Sequence, residues 1–267
     1  MKILFLGDIV GKSGRNALKK YLPELQQSLK PDFIIVNGEN SAHGFGINKS
    51  IADELFELGV DCITLGNHAF DNADIYNWID NEPRIVRPDN ISKQAPGKGA
   101  QVIDSKNGHR VLVCNILGRV FMDPSYDNPF DSLDKLIPER GNPISNGLDA
   151  IVVDFHCEAT AEKQCAGWYL DGIASLVIGT HTHIPTADSR ILHNGTGYQT
   201  DAGMCGAYNS VIGMDTEIAL NRILGKLPRS RHQPAETGLG ITGVFIETET
   251  TTGLTKSIKN IKLGEIF

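Results

Sequence analysis

In the stretch LVIGTHTHIPTADS, Leu176 to Ser189, an apolar run ends in His181 and His183, and Pro185 follows two residues later. In an extended backbone residues i and i+2 share a face, so the two imidazoles can be aimed at one spot. Two neutral imidazoles with a common target suit a metal; two polar residues at an exposed strand end are the plainer reading. Four further apolar runs end in the same manner, at Gly7-Asp8, Gly38-Glu39-Asn40, Gly66-Asn67-His68 and Asp154-Phe155-His156. One such ending is explained by the turn preference of Asp and Asn. Five in agreement point to a metal centre, because open α/β sheets bind ligands at the carboxyl ends of their strands. The donors are carboxylate, carboxamide and imidazole with no thiolate obviously placed, a set that suits manganese, iron or zinc rather than a structural, cysteine-rich zinc site. They are too many for one ion and enough for two that share a carboxylate.

The elements that must position these residues alternate along the first half. KILFLG, DFIIVNG and DCITLGNH read as strands, with helical periodicity from Arg15 to Leu29 and over NKSIADELFELG between them. That alternation predicts a parallel sheet covered by helices. In QVIDSKNGHRVLVCNIL, Asn107-Gly108 lies between two apolar stretches and predicts a hairpin that adds antiparallel strands to the sheet. A second alternation follows: LDAIVVDFH, a helix from Ala159 to Leu170, and ASLVIGTHTH. Strand-like pieces near SRILHNGTGYQTDAG, a short helix around Asp215 to Leu224 and a terminal hairpin complete the chain, with Lys226 to Thr237 an exposed loop. No repeat or linker divides residues 1–267, so a single α/β domain with a two-layer β core is expected.

The chain has 267 residues, a net charge of -7 and 40% hydrophobic residues, as expected of a soluble globular protein with a substantial core. The acidic balance and the lack of a Lys/Arg run argue against an extended nucleic-acid partner, whereas small anionic substrates are accessible once a metal supplies positive charge. KILFLGDIVG lacks the length and cleavage site of a signal peptide, and no run approaches a bilayer span, so no membrane partner and a cytoplasmic location are expected. Whether copies associate as a homo-oligomer is left open. The cysteines, Cys62, Cys114, Cys157, Cys165 and Cys205, are scattered singly and read mostly as core thiols. Alternation turns Cys157 away from the face of His156.

Taken in order, GD, GEN, GNH, a lone strand-end His and GTHTH resemble the calcineurin-like metallophosphoesterase superfamily, and most closely its YmdB-like branch, to which GDIVG, NGEN, TDAGMCG and GMD are similar as well. The resemblance covers nearly the whole chain and implies a four-layer α/β/β/α sandwich with mixed sheets. The superfamily usually has His two residues after its first Asp, where Val10 stands, and Asp where this chain has Glu39. Both departures match the YmdB-like branch, in which the Asn after the Glu completes the first metal site. Carried over by position, the resemblance implies one metal held by Asp8, Glu39, Asn40 and His183, and a second held by Glu39, Asn67, His156 and His181, with Glu39 bridging. His68 is left unligated beside the pair. The implied cofactors are two divalent or trivalent transition-metal ions, iron or manganese first and zinc next.

Two cations about 3.5 to 4 Å apart lower the pKa of a shared water, clamp phosphate oxygens and stabilise an in-line displacement, so the nucleophile is a hydroxide and not a side chain. Departure of a ribose oxygen still needs a proton, and His68 is the implied general acid. The branch resemblance implies a small phosphodiester substrate, a 2',3'-cyclic nucleotide opened to a 3'-nucleotide. Two rivals are weighed. An amidohydrolase also uses His-x-His, but on the first strand of a barrel, whereas here the pair comes late. A regulatory protein that binds metal and nucleotide with slow or no turnover would keep the same residues. Among the rest, His43 lines the pocket or is a solvated loop residue, and His109, His193 and His232 read as surface. Asp154 shares a strand face with His156 and either orients it or is a plain strand polar residue. Gly203 to Gly206 either leave room for phosphate or base or serve only the turn.

Overall fold

The computed structural model describes residues 1–124, 126–137, 141–226 and 233–265. Its first half runs β1 (Lys2–Ile9), α1 (Gly11–Leu29), β2 (Phe33–Asn37), α2 (Lys49–Glu57), β3 (Cys62–Thr64) and β4 (Ile85–Val86). The second half runs β5 (Ala100–Asp104), β6 (Arg110–Leu117), α3 (Pro129–Leu136), β7 (Ala150–His156), α4 (Thr160–Tyr169), β8 (Leu176–Thr180), β9 (Arg190–Ile191), β10 (Gly197–Gln199), β11 (Met204–Ala207), α5 (Thr216–Ile223), β12 (Leu239–Thr248) and β13 (Thr255–Gly264). Helix α1 forms because Ala17, Leu18, Leu22 and Leu25 recur at helical spacing and are buried on one face. It stops at Lys30, in left-handed conformation, before Pro31. Helix α2 starts where the Asn48 side chain accepts from the Ile51 N–H, and α5 where Asp215 accepts from Ile218.

The strands form two mixed sheets, one of seven strands in the order β13-β12-β11-β1-β2-β3-β4 and one of six in the order β5-β6-β7-β8-β10-β9. The hairpin at Asn107-Gly108 forms, but β5 and β6 open the second sheet instead of joining the first. The sequence could not separate these outcomes, since pairing across sheets leaves no local pattern. Between the sheets lie Ile3, Phe5 and Ile35 of the first against Val113, Val152 and Ile178 of the second. The alternate residues, Leu4, Leu6 and Val36, pack outward on α1 and α2. On the far side, Val153, Phe155 and Val177 pack on Leu133 of α3 and Ala166 of α4. Helix, sheet, sheet and helix therefore stack as the four layers expected of the fold class. Helix α3 is an element the sequence reading passed over, although Asn128 caps it and Pro129 opens it. Of the loop expected over Lys226 to Thr237, Pro228, Arg229, Arg231 and His232 lie outside the described residues; Pro234 pairs with Met214. No helix among the described residues is long and apolar enough to cross a membrane.

Candidate metal centre

In the first sheet β1, β2 and β3 run parallel, as do β6, β7 and β8 in the second, and the carboxyl ends of β1, β2, β3, β7 and β8 meet at one end of the sandwich. Asp8 lies near the end of β1, Glu39 and Asn40 follow β2, Asn67 and His68 follow β3, His156 ends β7, and His181 and His183 follow β8. All seven expected donors are brought together. Glu39, His156 and His181 each offer a ligand atom within 4.8 Å of the others, a group that could hold a metal ion.

Around His156 Nε2 stand Asn67 Oδ1 at 2.9 Å, Glu39 Oε1 at 3.1 Å and His181 Nδ1 at 3.1 Å. Adjacent donors about 2.0 to 2.2 Å from one ion stand about 2.8 to 3.1 Å from each other in octahedral coordination, so these spacings suit shared coordination. The state of the ring follows from its other nitrogen. Thr180 Oγ1 donates to Asp154 Oδ1 (2.5 Å) and therefore accepts from His156 Nδ1 (2.9 Å). Asp154 also accepts from Thr64 Oγ1 (2.5 Å) and Asn37 Nδ2 (3.0 Å), so the chain Asp154–Thr180–His156 fixes the imidazole with Nε2 toward the cluster. The orienting role is the one of the two readings of Asp154 that the geometry supports. Only a positive charge at or beside Nε2 reconciles so many acceptors: a proton, or a cation in its place.

The second group is centred on Asp8. Its Oδ1 is buried with no hydrogen-bond partner, 3.9 Å from both His156 Nδ1 and His183 Nε2, while Oδ2 accepts from the His181 N–H (3.2 Å). His183 Nδ1 faces the Ile212 carbonyl at 2.8 Å, which takes its proton and leaves Nε2 beside Asn40 Oδ1 at 3.2 Å. A buried, partnerless carboxylate oxygen is costly unless a cation meets it, so the residues fit the metals that the sequence implies. Charge tells the same story. Burial pushes Asp8 up to about 7 against the pull of His183 and His156. Burial also works against ionised Glu39, but His156 and His68 outweigh it and hold Glu39 at about 2. His156 is disfavoured by burial yet raised to about 9 by Glu39, Asp8 and Asp154, and His181 falls to about 3 through burial and the neighbouring His156. A cation bound here would displace the proton of His156.

One expectation is corrected. Strand β8 ends at Thr180, and His181 (φ 95) and His183 (φ 65) lie in the left-handed region, not in extended alternation. Consequently they do not share a target: His181 turns to His156, His183 to Asn40 and Asp8. Such backbone costs about 1 to 3 kcal/mol per residue and persists only when over-determined. The clamp is Asp201, whose Oδ2 accepts from the N–H (3.1 Å) and Oγ1 (2.7 Å) of Thr182, between the two histidines, and from Lys163 Nζ (2.6 Å). Lys163 and Asp201 form a buried ion pair, each side chain 1% exposed. Neither was found from sequence, nor was Glu158, whose Oε2 lies 3.3 Å from His181 Nε2. A close approach also explains Gly66, where a Cβ would meet Glu39 Oε2 at 2.3 Å and His156 Nε2 at 2.5 Å.

The centre opens into a cavity of about 330 Å³ lined by Glu39, Asn40, Phe45, His68, Glu158 and His183, among others. The His68 N–H donates to Glu39 Oε2 (2.9 Å), while the His68 ring, 29% exposed, keeps Nδ1 on Asp71 (2.8 Å) and stays outside the donor set. Val10, at the position where the wider superfamily has His, is buried against Met204 and Tyr208. His43 and His193 are exposed; His109 is half-buried beside Asp149. A Cβ at Gly203 would strike Thr242 and Pro185, so that turn is filled by protein. Cys157 points to Ala159 and Glu162, away from the centre, and all five cysteines are free.

A family model described as YmdB-like protein matches residues 4–261. The chain is 44% identical over 265 residues, 99% of its own length and 98% of the relative's, to a Bacillus subtilis (strain 168) protein named 2',3'-cyclic-nucleotide 2'-phosphodiesterase. Among solved structures it resembles a novel phosphatase of Mycoplasma pneumoniae, with TM-score 0.90 and 34% identity over 100% of this chain and 94% of that one. A hypothetical protein of Thermus thermophilus gives TM-score 0.89 and 38% identity over 99% of this chain and 100% of that one. Matched across almost its whole length in sequence and in fold, the chain belongs to the YmdB-like protein family.

Proposed function

We propose that the chain is a metal-dependent phosphodiesterase that opens 2',3'-cyclic nucleotides at the 2' position and leaves a 3'-phosphate. The observation that carries this reading is the pair of acceptor-rich positions, one at His156 Nε2 and one at Asp8 Oδ1, buried behind Glu39, Asn40, His181 and His183, which line a cavity together with His68. The name of the Bacillus subtilis relative supports the substrate class. In this reading Asp8, Glu39, Asn40 and His183 hold one transition-metal ion and Glu39, Asn67, His156 and His181 another. Iron or manganese is the first choice and zinc the next. Bound there, the two ions supply the positive charge that activates water and clamps the phosphate. The protein residues do the rest. Asp154 and Asp201 orient the imidazoles, and His68, held through Nδ1 by Asp71, delivers a proton to the departing ribose oxygen.

The test is metal analysis of reconstituted protein together with a screen of 2',3'-cyclic nucleotides, linear diesters and phosphomonoesters. Close to two ions per chain and a 3'-nucleotide product are expected. A content that stays near one at saturating manganese or iron removes the dinuclear mechanism. Two ions with nucleotide binding but no turnover would make the chain a regulatory binding protein.

A further inference from the structure

The loop after β2 carries an aromatic ring at the metal centre. Phe45 is 37% exposed and lines the cavity of the metal centre. Its ring centroid lies 5.0 Å from that of His68, with the planes 80° apart. The loop is stiffly built. Ala42 N–H donates to Gly46 (2.9 Å), Phe45 N–H to Ala42 (3.1 Å), and the Asn40 side chain to the Gly44 carbonyl (3.0 Å). Gly44 (φ 94) and Gly46 (φ 71) take the left-handed conformations on either side of the ring, and a Cβ at Gly46 would lie 2.7 Å from the Asn72 nitrogen. Ile212 and Met214 continue the apolar lining, whereas Glu158 is an acidic group in the same cavity.

We propose that Phe45 is a specificity-determining residue, its ring packing against the base of the bound nucleotide so that the site prefers nucleoside cyclic phosphates to sugar phosphates without a base. The inference rests on the phosphodiesterase reading and follows from the connectivity of the substrate. The 2' oxygen is joined through C2' and C1' to the base nitrogen, while the 3' oxygen is one carbon further away. A group that protonates a departing 2' oxygen therefore has the base beside it. If His68 is that group, the base comes to the Phe45 ring, the aromatic surface next to His68.

The test compares wild type, Phe45→Ala and Phe45→Trp on a 2',3'-cyclic nucleotide and on methyl riboside 2',3'-cyclic phosphate, which lacks a base. Stacking on an aromatic side chain predicts that Phe45→Ala lowers the preference for the nucleotide roughly 5- to 150-fold, mostly through KM, and that Phe45→Trp restores it. An equal loss on both substrates, or an unchanged preference, overturns the assignment. Calorimetric binding of the 3'-nucleotide to wild type and Phe45→Ala needs no turnover. Were wild type inactive on both substrates, the phosphodiesterase reading would fall, and this binding alone would decide: weaker binding to Phe45→Ala sustains the base contact, and equal binding removes it.

Discussion

His68→Ala separates proton transfer from metal binding, because the structure ties His68 to the centre through its backbone. The bond from the His68 N–H to Glu39 Oε2 survives the substitution, and the ring is outside the donor set. What is lost is the contact with Asp71, in a pair with side chains 29% and 47% exposed and worth at most about 1 kcal/mol of stability, and the edge-to-face contact with the half-exposed Phe45 ring. Metal content and thermal midpoint should thus change little. Turnover of a 2',3'-cyclic nucleotide should fall roughly 10² to 10⁴-fold, about 2.7 to 5.5 kcal/mol of barrier, the usual range for a removed general acid. On a p-nitrophenyl diester the loss should be far smaller, since nitrophenol has a pKa of about 7 and its anion departs unaided, whereas a ribose alkoxide needs a proton. The assay is the ratio of the two losses, which cancels damage to folding or metal loading. Equal losses would show that His68 positions the phosphate or supports a metal, and the acid assignment would be withdrawn.

Four other substitutions probe the donors and the turn that holds them. Glu39→Gln should lower the content of both ions, measured by elemental analysis, whereas Asp8→Ala should deplete mainly one. Asn40→Ala should weaken one ion while the fold survives; unchanged metal content with a collapsed thermal midpoint would make Asn40 a turn residue, acting through its bond to Gly44. Thr182→Val removes the hydroxyl donor to Asp201 at constant shape and should weaken metal binding roughly 10- to 100-fold in a titration, with Thr182→Ser restoring it. A lower midpoint with unchanged metal affinity would reduce Thr182 to a purely structural role.

The expected donors were legible because each is a polar residue at the end of an apolar run, and a parallel sheet delivers such ends to one place. The strands were legible for the same local reason. What escaped notice depends on distant partners. Lys163 sits in α4 and looks like any solvated helix lysine, yet it is buried against Asp201, which in turn holds Thr182. Glu158 is unexceptional until His181 lies beside it. The left-handed turns of His181 and His183 could not be read from a His-x-His pattern, which favours an extended strand. Helix α3 did carry a signal, in Asn128-Pro129, that was overshadowed by the polar segment before it.

The candidate donors come from both sheets, and this constrains when the centre can exist. The hydrogen bond from the His181 N–H to Asp8 closes 173 residues of chain. A nascent polypeptide whose second sheet has yet to emerge offers Asp8, Glu39, Asn40 and Asn67, without a single imidazole of the set. The complete cage requires the two sheets to be docked, a long-range closure that costs more chain entropy than pairing of neighbouring strands. An ion captured there is linked to global folding, and stabilises the docked state by an amount that grows with its free concentration. Retention of an ion would then report on the fold itself: a molecule opened between its two sheets would have lost the complete donor set, and one that kept the ion would have its two halves joined.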